Sequence, residues 1–270
     1  LPAPLLRARP LPAGARVSAA PKPRLDDLLV TRGLAPNRTR ARADIMAGRV
    51  RVAGQVVAKA GTRVPADAEL SCQAPPPFVG RGGLKLRAAL DAFGIDPAGR
   101  AVLDAGASTG GFTDCLLQRG ARAVLAVDVG HGQLDPRLAA DPRVTVMDRT
   151  NVRHLTPAEL PGPVDLVVAD LSFISLTAVL PTLRALLAPG GEMVLLVKPQ
   201  FEVGRGNVGK GGIVRDPALR EAAVERVAEA ARALGLEAVG RLPSPVTGAK
   251  GNVEYLLHLR ASGPDPEAAA

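Results

Sequence analysis

The chain has 270 residues, 47% hydrophobic and 2% aromatic, enough for one large packed domain and a smaller one. No apolar run nears the ~20 residues a membrane helix needs, which excludes a helical membrane-spanning protein. The formal charge of +8 lies wholly in residues 1–78, with 13 Lys+Arg against 5 Asp+Glu, while residues 79–270 hold 21 of each. That asymmetry fits an appended nucleic-acid or membrane-surface module, and equally a solvated arginine-rich surface.

Residue 1 is Leu, so a start missing or altered at this point is expected. Residues 1–23, rich in Pro, Ala and Arg, lack the apolar stretch of a secretory signal, and a disordered tail is expected there. "RLDDLLVTRGL" (24–34) puts Leu25, Leu28 and Leu29 on one helical face, with Gly33 placed to end the helix. Asn37 is a plausible cap for a second helix, "RTRARADIMAG", ended by Gly48 and carrying Arg38, Arg40 and Arg42 toward solvent beside a buried Ile45. "VRVAGQVV" reads as a hairpin turning at Gly54, and "KAGTRVPADAEL" adds a turn and a strand. This order of elements resembles an S4-type RNA-binding domain over residues 24–72. The matching residues include Arg24, Arg38, Arg49, Arg51, Gly54 and Lys59, with Asn37 where that family usually has Ser. The resemblance implies RNA contacts from Arg24, Arg38, Arg40, Arg42, Arg49, Arg51 and Lys59. It implies recognition by shape and backbone charge, since stacking aromatics are absent.

"QAPPPFVG" (73–80) reads as a stiff linker. Beyond it, over 81–260, "GGLKLRAALDAFG" suggests a helix ending at Gly94. Apolar strands at 100–106, 121–130, 143–148, 164–170 and 192–198 alternate with helices at 110–120, 175–191 and 216–235. "LEAVGRLP" and "NVEYLLHLR" give two last strands, and a second disordered tail is expected at 261–270. Continuous apolar strands separated by helices mark an α/β fold, a doubly wound Rossmann-like sheet.

Ligands of such sheets lie at the carboxyl ends of the strands. There the first strand carries "LDAGASTGG", and the next four end in Asp128, Asp148, Asp170 and Lys198. The loop lacks the G-x-G-x-x-G spacing of a dinucleotide site. A glycine loop followed by a ribose-binding acid suits S-adenosylmethionine, which has no phosphate. In that reading Asp104 and Gly106, Ala107, Ser108, Thr109, Gly110 and Gly111, with Phe112 beside them, face its methionine part. Asp128 takes the ribose hydroxyls and Asp148 the adenine.

The chain has 28 Arg and only 6 Lys. Lysine is expected where arginine cannot serve, because only the amine readily gives up its proton. Lys85 and Lys198, with Asp170 and Glu254, form a candidate Lys-Asp-Lys-Glu set. The glycine-rich stretch 201–216 reads as a mobile loop over the site, closing on RNA or cofactor, with Arg205 and Lys210 as candidate phosphate contacts. Cys72 and Cys115 are spaced unlike ligands, and His131, His154 and His258 are scattered. Free thiols in a reducing cytoplasm and no metal are expected.

The phrases "GRGGLKL", "LDAGASTGGFTDCLL", "VVADLSFISL", "LLVKPQFEVG", "GGIVRDP" and "GNVEYLLHLR" resemble the TlyA (haemolysin A) family. These are S4-bearing relatives of FtsJ-type methyltransferases, and the likeness covers residues 24–260. The resemblance implies S-adenosylmethionine-dependent 2′-O-methylation of cytidine in 16S and/or 23S rRNA, with a catalytic tetrad on Lys85, Asp170, Lys198 and Glu254. For a ribose hydroxyl, Lys198 would act as base or as the charge that stabilises the developing alkoxide, and the carboxylates would orient the amines. It implies ribosomal RNA, within subunits or ribosomes, as partner, and a cytoplasmic enzyme without membrane or metal. Pro76-Pro77-Phe78-Val79 stands where that family often has an Arg-x-Trp-Val-like linker. A pseudouridine synthase also pairs an S4 domain with an enzyme body. Here, however, the "RLD" that it would need at 24–26 falls in the first S4 helix. A non-catalytic RNA-binding factor is disfavoured by the intact tetrad, and a pore-forming haemolysin by the lack of a membrane-inserting element.

Overall fold

Burial of Leu25, Leu28 and Leu29 organises the N-terminal unit of the computed structural model, which describes residues 5–7 and 22–262. The chain divides into two units between Pro77 and Phe78. In the first, strand β1 (Leu5–Arg7) precedes helices α1 (Leu25–Thr31) and α2 (Arg38–Met46) and strands β2 (Val50–Val52), β3 (Gln55–Val56) and β4 (Leu70–Gln73). Gly33, at φ 71°, lets its own N–H reach Val30 O and that of Leu34 reach Leu29 O, closing α1. Asn37 Oδ1 accepts from Arg40 N at 2.8 Å and starts α2. Ala53 and Gly54 both have positive φ, the tight turn that a two-residue hairpin requires. The sheet order is β1-β4-β2-β3. The expected tail at 1–23 thus contains a strand at Leu5–Arg7, whose backbone pairs with the edge of β4. The rest of that tail up to residue 21, and 263–270 of the second, lie outside the described residues.

The second unit begins with α3 (Gly82–Phe93) and β5 (Ala101–Ala105). There follow α4 (Gly111–Gln118), β6 (Ala123–Val127), α5 (Pro136–Ala139), β7 (Val144–Met147), β8 (Val164–Ala169), α6 (Leu180–Leu186), β9 (Leu187–Val197), α7 (Pro199–Glu202), α8 (Pro217–Arg232), β10 (Leu236–Pro243) and β11 (Tyr255–Ala261). Strand order is β10-β11-β9-β8-β5-β6-β7, parallel from β9 to β7. Alternate residues of each strand enter opposite cores. Leu103, Val167 and Leu195 pack with α6 and α8, and Val102, Leu166 and Leu196 pack with α3 and α4. Both faces are covered, which is why these strands read as unbroken apolar runs. The winding reverses between β5 and β8, opening a crevice at their carboxyl ends.

Two expectations shift, and the last strands take an order and direction that the sequence left open. The helix expected over 175–191 is only a short turn plus α6, because Pro189 and Gly190 cannot continue it and β9 begins at Leu187. β11 is antiparallel and lies between β9 and β10. Phe78 belongs to the second unit's core and not to a linker: a Cβ on Gly83 would fall 2.3 Å from its ring, so the glycine makes room for it.

Phe78→Ala should lower the unfolding free energy of the second unit by about 3 kcal/mol. Urea denaturation checks this; an unchanged midpoint would remove Phe78 from the core.

Candidate active site

Strand pairing carries the candidate tetrad to one rim. β8 ends at Ala169 and β9 at Val197, so Asp170 and Lys198 follow adjacent parallel strands. Tyr255 pairs antiparallel with Val197, which brings Glu254 to the same end. Each of these three residues stands one position outside its strand. Pro199 follows Lys198 directly and occupies the first turn of α7, where its missing N–H costs nothing.

Lys198 Nζ lies 2.6 Å from Asp170 Oδ1 and donates to Ser172 Oγ at 2.8 Å. Lys85, from α3, donates to Glu254 Oε2 at 2.6 Å. Both lysines and Glu254 are buried, and Asp170 is half-buried. All four line a cleft of about 570 Å³, within the range of small-molecule sites. An ammonium group has three donors. Asp170 and Ser172 take two from Lys198, and the third is available to an oxygen in the cleft.

Gly106, Ala107, Ser108, Thr109, Gly111 and Phe112 line the same cleft. Gly106 has φ 85°, and a Cβ there would lie 2.6 Å from the Asp170 carbonyl oxygen, so only glycine lets the loop pass this close to β8. Gly110, at φ 95°, sits behind the wall against Leu134 and Leu138. The pocket size and the close-lying glycine backbone fit a small cofactor.

The acids differ in placement. Asp104 does not reach the cleft wall. β5 runs on to Ala105, so Asp104 stays inside the sheet opposite Ala126 and Val168, fully buried. Its Oδ2 accepts from Thr113 Oγ1 at 2.6 Å, and its Oδ1 has no partner among the described residues. Burial pushes its carboxyl up to about 7, against the opposing Thr113 hydrogen bond. Asp128 lies one residue beyond β6 and accepts from Ser108 N at 2.8 Å and Gly130 N at 2.7 Å. Asp148, one residue beyond β7, accepts from Gly132 N and meets His131 Nδ1. The Gly132 N–H and then His131 hold its carboxyl below the usual range. Neither Asp128 nor Asp148 is among the residues that line the cleft.

The cleft also contains residues that sequence reasoning missed. Ser172 holds Lys198. Phe173, 92% exposed and at φ 66°, stacks at a tilt on Phe201 with ring centres 5.3 Å apart. Arg81 and Lys250 add exposed cations. A Phe inside "LSFISL" gave no periodic signal, because its position depends on a left-handed backbone residue. The 201–216 stretch is fastened: Asn252, buried, accepts from Val214 N and donates to Gly212 O. Cys72 and Cys115 are buried free thiols, and burial pushes Cys115 up to about 12.

In the N-terminal unit, the arginines expected to touch RNA converge on two buried acids. Arg24, Arg38 and Arg42 all donate to Asp26 Oδ2. Arg40 and Arg49 pair with Asp44. The guanidinium of Arg24, then those of Arg42 and Arg38, hold the Asp26 carboxyl well below the usual range despite its burial. Arg51 donates to Gly54 O, and Lys59 is exposed.

Family models match the chain as an FtsJ-like methyltransferase over residues 78–261 and as an S4 domain over residues 23–70. The chain is 53% identical over 243 residues to the 16S/23S rRNA (cytidine-2′-O)-methyltransferase TlyA of Mycobacterium tuberculosis, covering 89% of this chain and 91% of that one. It is 40% identical to Hemolysin A of Brachyspira hyodysenteriae, over 87% of this chain and 99% of that one. A solved chain from Streptococcus thermophilus, described with the word hemolysin, aligns with TM-score 0.69 and 40% identity, over 92% of this chain and 93% of that one. No described helix is long and apolar enough to cross a membrane.

A carboxyl raised from 3.8 to about 7 keeps its proton in the folded chain across that interval. Its contribution to stability therefore falls as pH rises from about 4 through about 7. Asp104→Asn, neutral throughout, should flatten that part of the stability profile in urea titrations. An undiminished slope would show that Asp104 is not protonated in the folded state.

Proposed function

The chain belongs to the FtsJ-like methyltransferase family, and from its 53% identity to a 16S/23S rRNA (cytidine-2′-O)-methyltransferase we propose that it methylates the 2′-hydroxyl of cytidine in 16S and/or 23S ribosomal RNA. The observation that carries the chemistry is the Lys198 ammonium, held by Asp170 and Ser172 with one donor left for the cleft.

S-adenosylmethionine, when bound, supplies a methyl group already activated by a positively charged sulfur. The 106–111 loop and Phe112 would hold it. Asp128 and Asp148, whose oxygens retain lone pairs beyond their backbone contacts, would take its ribose hydroxyls and adenine. Asp104 acts from behind, fixing Thr113 and so the start of α4.

A ribose hydroxyl is a poor nucleophile near neutral pH. Lys198 fixes its oxygen in line and stabilises the negative charge that develops there. With Lys198 charged, the proton that the oxygen sheds passes to the Asp170 carboxylate, directly or through the Lys198 amine. Lys85 and Glu254, paired with each other in the same cleft, complete the tetrad. Phe173 offers a flat apolar face on which the target base can stack. The S4 unit docks structured RNA through its arginines, so affinity should fall steeply with salt. The enzyme would work on ribosomal RNA in the cytoplasm, as free RNA or within subunits.

The test is to map 2′-O-methyl groups on rRNA from cells lacking the gene, before and after treatment with the purified chain and S-adenosylmethionine. A cytidine that gains the group supports the reading; none gaining it on any ribosomal substrate overturns it.

Lys198→Ala should cut methyl transfer by at least about 100-fold while S-adenosylmethionine binding, measured calorimetrically, persists. Unchanged turnover would remove Lys198 from catalysis.

A further inference from the structure

Gln200 has no part in the chemistry above. It lies two residues beyond Lys198 in α7 and, like Lys198, lines the cleft. It also lines a second, shallower recess of about 490 Å³. The two hollows share Phe173, Gln200, Phe201, Val208 and Gly212, so Gln200 stands where they meet, beside the stacked rings.

Its side-chain amide makes no hydrogen bond among the described residues, and its Oε1 is buried without a partner. An unmet buried amide oxygen costs about 1–3 kcal/mol. That oxygen has no free surface in this conformation, so a ligand completes it once the side chain turns it into the cleft. The amide offers one acceptor and two donors, and turning it over exchanges its two ends. Unpaired RNA bases are bound by stacking on aromatic rings and by hydrogen bonds along their Watson–Crick edge. A pyrimidine lying on Phe173 with its own 2′-oxygen at Lys198 presents that edge within the same cleft that Gln200 lines.

We infer that Gln200 reads the Watson–Crick edge of the target base, its amide oxygen accepting from the cytosine N4 amino group and its amide nitrogen donating to N3. This rests on the 2′-O-methylation reading. Gln200 thereby adds base recognition to a rim whose other polar groups serve the ribose. It also gives the unmet amide a partner that arrives only with substrate.

The test pairs two proteins with two substrates. The full chain and Gln200→Ala are assayed on RNA assembled by ligation around the mapped target. That target is either cytidine or its pyrimidin-2-one analogue, which keeps the ring and N3 but lacks the N4 amino group. The unaltered chain should prefer cytidine by about tenfold, the worth of one hydrogen bond that is lost. Gln200→Ala should react with both targets alike. Gln200→Met, close in volume, should behave as Gln200→Ala does, and S-adenosylmethionine affinity confirms that each variant is folded. An equal loss on both targets would make Gln200 a packing residue, and an undiminished preference for cytidine would remove it from base recognition; either overturns the inference. No preference in the unaltered chain overturns it too. No transfer to any target by the unaltered chain overturns the parent reading and this one with it.

Discussion

An ammonium group drawn out of water at the end of a buried sheet is tolerable only beside a carboxylate. The second unit is arranged around two such pairs, Lys198 with Asp170 and Lys85 with Glu254. The first follows from β8 and β9 being parallel neighbours whose carboxyl ends reach the same rim. The second needs β11 beside β9, running the other way, so that its beginning reaches the rim where β9 ends. Glycine appears where the pairs need room. A Cβ on Gly248 would fall 2.0 Å from Glu254 Oε1. The paired groups, the strand order and the nearby glycines are thus one solution to one desolvation problem.

The N-terminal unit meets the same cost with the signs reversed. There the buried charges are carboxylates, Asp26 and Asp44, and arginines gather round them. Each guanidinium is planar, with several donors, and can meet an acid with one edge while turning another outward. Two buried acids therefore hold five arginines in a fixed pattern without neutralising the unit. A surface that reads structured RNA by backbone charge gains from such order, since side chains already fixed lose less freedom on binding.

Much of this was legible in the sequence, because the relevant signals are local. Apolar runs gave the strands, Gly33 and Asn37 gave the helix ends, and the glycine loop and the rare lysines gave the rim. What escaped depends on pairing between distant segments. Asp104 looks like Asp128, Asp148 and Asp170, yet β5 continues one residue past it, and that single step of register moves it from the rim into the sheet. Proline-rich "APPPF" resembles a linker throughout, but Phe78 is claimed by a space that Gly83 leaves open. Ser172, Phe173 and Gln200 carry no periodicity. Their roles come from loops that meet only once the sheet is assembled.

The insertion of β11 between β9 and β10 has a temporal consequence. Lys85 stands near the start of the second unit, and its partner Glu254 lies 169 residues later. During synthesis the parallel core could form on the ribosome as its strands emerge. The tetrad would nonetheless remain open until the final hairpin threads its second strand into the edge of that core. A nascent chain would thus hold the glycine loop and most of the cleft while lacking the carboxylate opposite Lys85. Catalytic competence would arrive with that strand and not build up gradually.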